Sequence, residues 1–134
     1  LRKINEIIVH CSGTDIESYD FASMRYDHMN NRGWSDIGYH FGIDWDGYIH
    51  ILRPLNRIGA HCKGHNKHSI GICVLGRQSF TVVQMRQLCR LMDTLCYAYG
   101  LSRDDIHGHN YYNPNKLCPV FDLETVMTKY MVVK

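Results

Sequence analysis

Ile7-Ile8-Val9-His10-Cys11-Ser12 is the stretch whose pattern decides the fold. Consecutive branched aliphatics leave no polar face, so the segment predicts a strand covered on both sides rather than one facing water. A sheet covered in this way needs helices above and below it. His10 falls at the strand's end, and strand ends are where open α/β sheets bind their ligands.

The flanking sequence supplies the covering elements. Phe21 to Asn31 puts Phe21, Met24 and His28 at helical spacing and closes on Arg32-Gly33, predicting a first helix. Trp34 to Gly38 reads as a loop. Tyr39-His40-Phe41-Gly42-Ile43 alternates, so Tyr39 and His40 point opposite ways unless the strand starts after Tyr39. Asp44-Trp45-Asp46-Gly47 carries an Asp-Gly hairpin signal, and Tyr48 to Leu52 returns as an antiparallel strand stopped by Arg53-Pro54. Ser69 to Leu75 is a further buried strand. Thr81 followed by Gln84 is a capping box before Met85, Leu88, Met92, Leu95 and Tyr99, an apolar helical stripe ended by Gly100. Ile106 to Gly108 reads as a short last strand, and Asp122 to Met131 as a closing helix with Asp122 as N-cap. The expected architecture is α/β: a single domain over residues 1–134, with a central mixed β-sheet flanked by helices.

Composition agrees. At 134 residues and 45% hydrophobic the chain suffices for one real core and not for two. A net charge of +2 without a basic run excludes a dedicated nucleic-acid binder. No apolar run approaches the roughly 20 residues of a membrane span, so no membrane insertion is expected. Nothing near Leu1 resembles a signal peptide, which predicts synthesis in the cytoplasm, or export if a segment precedes Leu1. Of the cysteines, Cys73 sits in an apolar strand pattern, and Cys89 and Cys96 share a helical face; free thiols are expected rather than disulfides.

Chemistry concentrates between His107 and Pro119, in His107-Gly108-His109-Asn110-Tyr111-Tyr112-Asn113-Pro114-Asn115-Lys116-Leu117-Cys118-Pro119. Its Gly, Asn and Pro content predicts a loop outside any helix or strand interior. Imidazole and thiolate are good zinc ligands, and a hydrolytic zinc site takes three of them with one open position. His10, His109 and Cys118 can form that set, while Lys116 can serve developing negative charge. Spacing alone leaves other readings open: a strand-end His, a turn His and a buried thiol give the same pattern. His107 competes with His109, because residues two apart in an extended segment face the same way. His61, His65 and His68 form a second set in a loop equally readable as solvated turns, while His28 and His50 read as a helix-face contact and a surface strand residue.

Several phrases occur in order along nearly the whole chain: Val9-His10-Cys11-Ser12, Gly33-Trp34-Ser35-Asp36-Ile37-Gly38-Tyr39-His40-Phe41, Asp46-Gly47, Gly59-Ala60-His61-Cys62-Lys63-Gly64, Asn66 with Ser69-Ile70-Gly71-Ile72, Gly108-His109, and Lys116 with Cys118-Pro119 and Phe121-Asp122. Together they resemble the zinc-dependent N-acetylmuramoyl-L-alanine amidases, of the phage lysozyme type and related to peptidoglycan recognition proteins. The resemblance implies one zinc ion bound by His10, His109 and Cys118, with Cys118 where other branches carry Asp. It implies catalytic roles for Tyr39 and Lys116, and substrate contacts from His61 and Asn66. The implied reaction cuts the amide between N-acetylmuramic acid and L-alanine in peptidoglycan, the implied partner. A non-catalytic peptidoglycan-binding module is the alternative, and it would not need the Cys118 thiolate. Trp34 and Trp45 are candidates for sugar stacking, with Trp34 read as structural, and Arg53, Arg57, Lys63 and Lys67 for stem-peptide carboxylates. Asp15, Asp36 and Asp122 read as turn or cap residues, and a monomer is expected.

Overall fold

The structure, a computed structural model, describes residues 2–134. β1 (Glu6–Cys11) lies between β4 (Ser69–Val74) and β5 (Ile106–Gly108), parallel to both. β2 (Phe41–Ile43) runs parallel to β4 and antiparallel to β3 (Ile49–Ile51), giving the order β3-β2-β4-β1-β5. This is the mixed sheet expected, and its single antiparallel pair is the Asp-Gly hairpin, with Gly47 at φ +87°.

Alternation along the strands divides the core. Ile7 and Val9 of β1, Ile70, Ile72 and Val74 of β4, and Phe41 and Ile43 of β2 pack with Met85, Leu88, Cys89, Met92 and Leu95 of α2 (Val82–Tyr99) and with Met127 of α4 (Leu123–Tyr130). Cys73 and Leu75 pack on the opposite side with Phe21 and Met24 of α1 (Phe21–Tyr26), Ile37 and Leu52. Fully burying each such aliphatic contributes roughly 1.5–3 kcal/mol. His10, between Val9 and Cys11, projects away from α2.

α2 begins as its sequence predicts. The Thr81 side chain accepts from the Gln84 N–H while Gln84 Oε1 accepts from the Thr81 N–H, and Gly100 closes the helix at φ +66°. Asp122 caps α4 through the Thr125 N–H.

Two local expectations need correction, and one open alternative is decided. The first helix keeps α geometry only to Tyr26; Asp27–Asn31 forms a wider π turn, with the Arg32 N–H bonded to Asp27 O at 3.2 Å. That widening turns His28 inward, where its Nδ1 accepts from the Gly38 N–H at 3.1 Å. β2 starts at Phe41, the alternative left open for Tyr39, whose carbonyl still accepts from the Arg53 N–H at 2.9 Å while its ring packs with the α1-side core. His107 and Gly108 end β5 as expected, but the stretch after them is not all loop, because His109–Tyr112 make one helical turn, α3. Its Gly and Pro residues flank that turn rather than occupy it. No helix among the described residues is long and apolar enough to cross a membrane.

Candidate active site

Parallel pairing sets the site. β1 and β5 run parallel and end together, so His10 and His109 meet at their C-terminal ends, while the 59–68 loop, which leads into the start of β4, reaches them across the sheet face with the His61 ring seated over Gly71. β5 delivers His109, the first residue after Gly108. The segment then loops back through Asn113 and Lys116, and the Asn110 N–H bonds Cys118 O at 2.9 Å, closing it over β1. Cys118 Sγ accepts from the Cys11 backbone N–H at 3.0 Å, which fixes the sulfur beside His10.

One ligand atom from each of His10, His109 and Cys118 lies within 4.8 Å of the other two. The His10 and His109 rings are 4.6 Å apart. His107 is not in this group: its ring stacks on Tyr111 at 4.2 Å. The histidines of the 59–68 loop diverge as well. His61 enters the site, His65 stacks on Tyr112 at 3.7 Å, and His68 bonds Lys3 O.

A cleft of about 550 Å³ surrounds the cluster, lined by His10, His109, Cys118, Tyr39, Lys116, His61 and Asn66 among others. The ligands, catalytic groups and substrate contacts that the resemblance implies therefore border one cavity. The Tyr39 ring is 5.0 Å from that of His10, and burial first, then the neighbouring thiols, pushes its phenol well above the ordinary range. It keeps its proton at neutral pH. Lys116 is exposed at the mouth. Burial first, and then the Lys116 charge, lowers the His109 pKa. His10 is shifted well down by burial, with His61 and His109 adding to the effect. Both imidazoles are thus biased to the neutral form that a metal ligand requires.

His61 and Asn66 are engaged by the protein itself. His61 Nδ1 is 2.9 Å from His10 Nε2, and His61 Nε2 is 3.1 Å from Ser69 Oγ. Asn66 Oδ1 accepts from the backbone N–H groups of both His61 and Cys62 at 2.9 Å, which pins the loop.

The cationic candidates separate. Arg53 is buried and donates to the carbonyls of Ile37, Ile58 and Asp36, so it stabilises the loop and is withdrawn from any substrate carboxylate. Lys63 lines the cleft, whereas Arg57 and Lys67 do not. Trp45 donates its indole N–H to Tyr19 O at 2.7 Å and packs in the core away from the cleft. Trp34 borders the cleft, held between His28 and Arg32. His28, Arg32 and Asn113 also line it and were missed; the π turn that aims the first two has no signal in hydrophobic periodicity. Asp36 and Asp122 accept from local backbone N–H groups, as turn and cap residues do, whereas Asp15 accepts from the distant backbone N–H groups of Arg77 and Gln78 and so ties two loops together. All six cysteines are unpaired.

Comparison with known proteins matches this geometry to a family. The family model described as N-acetylmuramoyl-L-alanine amidase matches residues 1–121. The endolysin of Enterobacteria phage T3 is 37% identical over 127 residues, spanning 88% of this chain and 82% of that protein. Among solved structures, the endolysin N-acetylmuramoyl-L-alanine amidase LysCS from Clostridium intestinale superposes with a TM-score of 0.85 at 31% identity, over 96% of this chain and 84% of that one. Drosophila PGRP-LB, as a mutant in complex with tracheal cytotoxin, gives a TM-score of 0.76 at 28% identity, over 89% and 76% of the two chains. The chain belongs to the N-acetylmuramoyl-L-alanine amidase family.

Proposed function

We propose that the chain is a zinc-dependent hydrolase of the amide bond between N-acetylmuramic acid and L-alanine in peptidoglycan, with His10, His109 and Cys118 holding one zinc ion. The observation that carries this reading is the convergence of two imidazoles and one thiol at the sheet's end, within the cleft that also holds Tyr39 and Lys116. The donor set fits zinc: nitrogen and sulfur suit a borderline-soft ion, and three protein ligands leave a position for substrate or water. When bound, zinc supplies Lewis acidity, polarising a carbonyl oxygen and bringing the pKa of a water molecule near 7.

The remaining work falls to side chains. Lys116, a flexible ammonium at the mouth of the cleft, stabilises negative charge developing on the scissile carbonyl oxygen. Tyr39 is a proton donor rather than a base, because its phenol stays protonated. Asn66 holds the 61–62 wall of the cleft, and Lys63 offers a cation there to a stem-peptide carboxylate. A wall polymer is a fitting substrate, since the structurally similar PGRP-LB is seen with tracheal cytotoxin. A binding module without chemistry needs the cleft but gains nothing from a thiol set beside two neutral imidazoles.

Metal analysis tests the site. The purified protein is expected to carry one zinc per chain, and Cys118→Ala to lose most of it while staying folded. Anomalous diffraction placing the metal on His65 or His68 would refute the assignment.

A further inference from the structure

His61 was expected to touch substrate, but both of its ring nitrogens are already paired within the protein. Nδ1 faces His10 Nε2 at 2.9 Å and Nε2 faces Ser69 Oγ at 3.1 Å, with Ser69 fully buried. The ring is closely seated: a Cβ on Gly71 would stand 2.6 Å from it, and one on Gly59 would stand 2.8 Å away. Gly71 lies directly opposite Ile8 in the β1–β4 ladder, so the sheet itself presents His61 to His10. His61 is outside the cluster formed by His10, His109 and Cys118, and its hydrogen bond to that cluster runs through His10 Nε2.

A neutral imidazole carries one N–H and one bare nitrogen, so the pairing has two possible directions. In one, His61 Nδ1–H donates to His10 Nε2, which puts the His10 proton on Nδ1. In the other, His10 Nε2–H donates to His61 Nδ1, His61 Nε2–H donates to Ser69 Oγ, and His10 Nδ1 is bare. Only the second leaves His10 with a lone pair for an ion.

We infer that Ser69 and His61 are positioning residues that form a directed hydrogen-bond chain behind His10, fixing its Nε2–H tautomer and ring orientation so that Nδ1 is presented to the metal. The inference rests on the zinc reading above. Ligating histidines generally anchor their second ring nitrogen in this way, and loss of the anchor costs about 10- to 100-fold in metal affinity.

Two measurements decide it. Long-range ¹H–¹⁵N correlation on the zinc-free wild-type protein is expected to show His10 protonated at Nε2 and bare at Nδ1; protonation at Nδ1 would overturn the inference without reference to any variant. Chelator competition then gives zinc affinities. His61→Leu should bind zinc about 10- to 100-fold more weakly than wild type, and Ser69→Ala should show a smaller loss. His61→Asn, whose amide oxygen can accept near the place of Nδ1, should recover much of the affinity. Equal losses for the Asn and Leu variants would assign the effect to packing alone, and wild-type affinity in His61→Leu would remove His61 from the site's support; either result overturns the chain. A wild-type protein that binds no zinc would defeat the proposed function instead, while the tautomer measurement still tests this inference.

Discussion

Lys116 stands exposed in the cleft wall, yet its charge reaches His109. This combination suits a group that acts on the substrate rather than on the fold. Lys116→Ala is therefore expected to leave zinc content and melting temperature near wild type and to lower kcat by about 10²- to 10³-fold, the usual cost of one transition-state donor. Near-normal kcat in that variant would take Lys116 out of the mechanism. At this scale the sequence was only partly legible. His10 was marked by its place at the end of an aliphatic strand, but spacing could not choose His109 over His107. The stacking of His107 on Tyr111 separates them, and that contact depends on the helical turn after Gly108, which the loop reading overlooked. The charge of Arg53 suggests a substrate contact, and its burial beneath three carbonyls has no signature in a single sequence.

The helices were more legible than the short strands, because caps and periodicity are local properties. α2 shows how much one element's start can hold. Gln84 completes the capping box and also donates through Nε2 to Leu75 O at the end of β4 and to Asp44 O in the hairpin. Thr81 contributes only its cap. Thr81→Ala should cost about 1 kcal/mol. Gln84→Ala leaves buried carbonyls without their donor and should cost more, about 2–4 kcal/mol when the cap and the unsatisfied groups are combined. Urea unfolding of the two variants checks the order; equal losses would mean that the contacts to Leu75 and Asp44 contribute nothing. The start of β2 was ambiguous because it depends on pairing with β4, a strand distant in sequence. The π turn after Tyr26 likewise accompanies a distant contact, the Gly38 N–H bonded to His28 Nδ1, which sequence periodicity does not report.

Across the molecule, the α/β class followed from the order of elements and from one fully apolar strand, whereas the strand order required the structure. The buried histidines give the assembled fold a pH signature. Burial above all pushes His40 down to about 4, and burial followed by His40 and His109 pushes His61 down to about 3. Unfolded histidine titrates near 6.5, so below about 6.5 the unfolded chain binds protons that the folded protein refuses. The stability they contribute is complete above about 6.5 and is lost as pH falls toward the folded values. Thermal melts of the zinc-free protein should show Tm declining steadily from about pH 7 to about pH 4; a flat profile would mean that these rings are not held neutral. His40 is the clearest contributor, because its Nδ1 accepts from the Gly71 N–H and its Nε2 lies 2.8 Å from Arg57 O, an arrangement that belongs to the neutral ring.

The most direct test of the whole account is mass spectrometry of peptidoglycan digested by the purified protein. Hydrolysis at the lactyl amide releases stem peptides with a free L-alanine amino group and leaves glycan strands intact, whereas a glycosidase uses two carboxylates flanking the bond between sugars and makes new reducing ends. The account predicts new alanine amino ends that disappear with a chelator and return when zinc is restored. New reducing sugar ends without free alanine amino groups would contradict it.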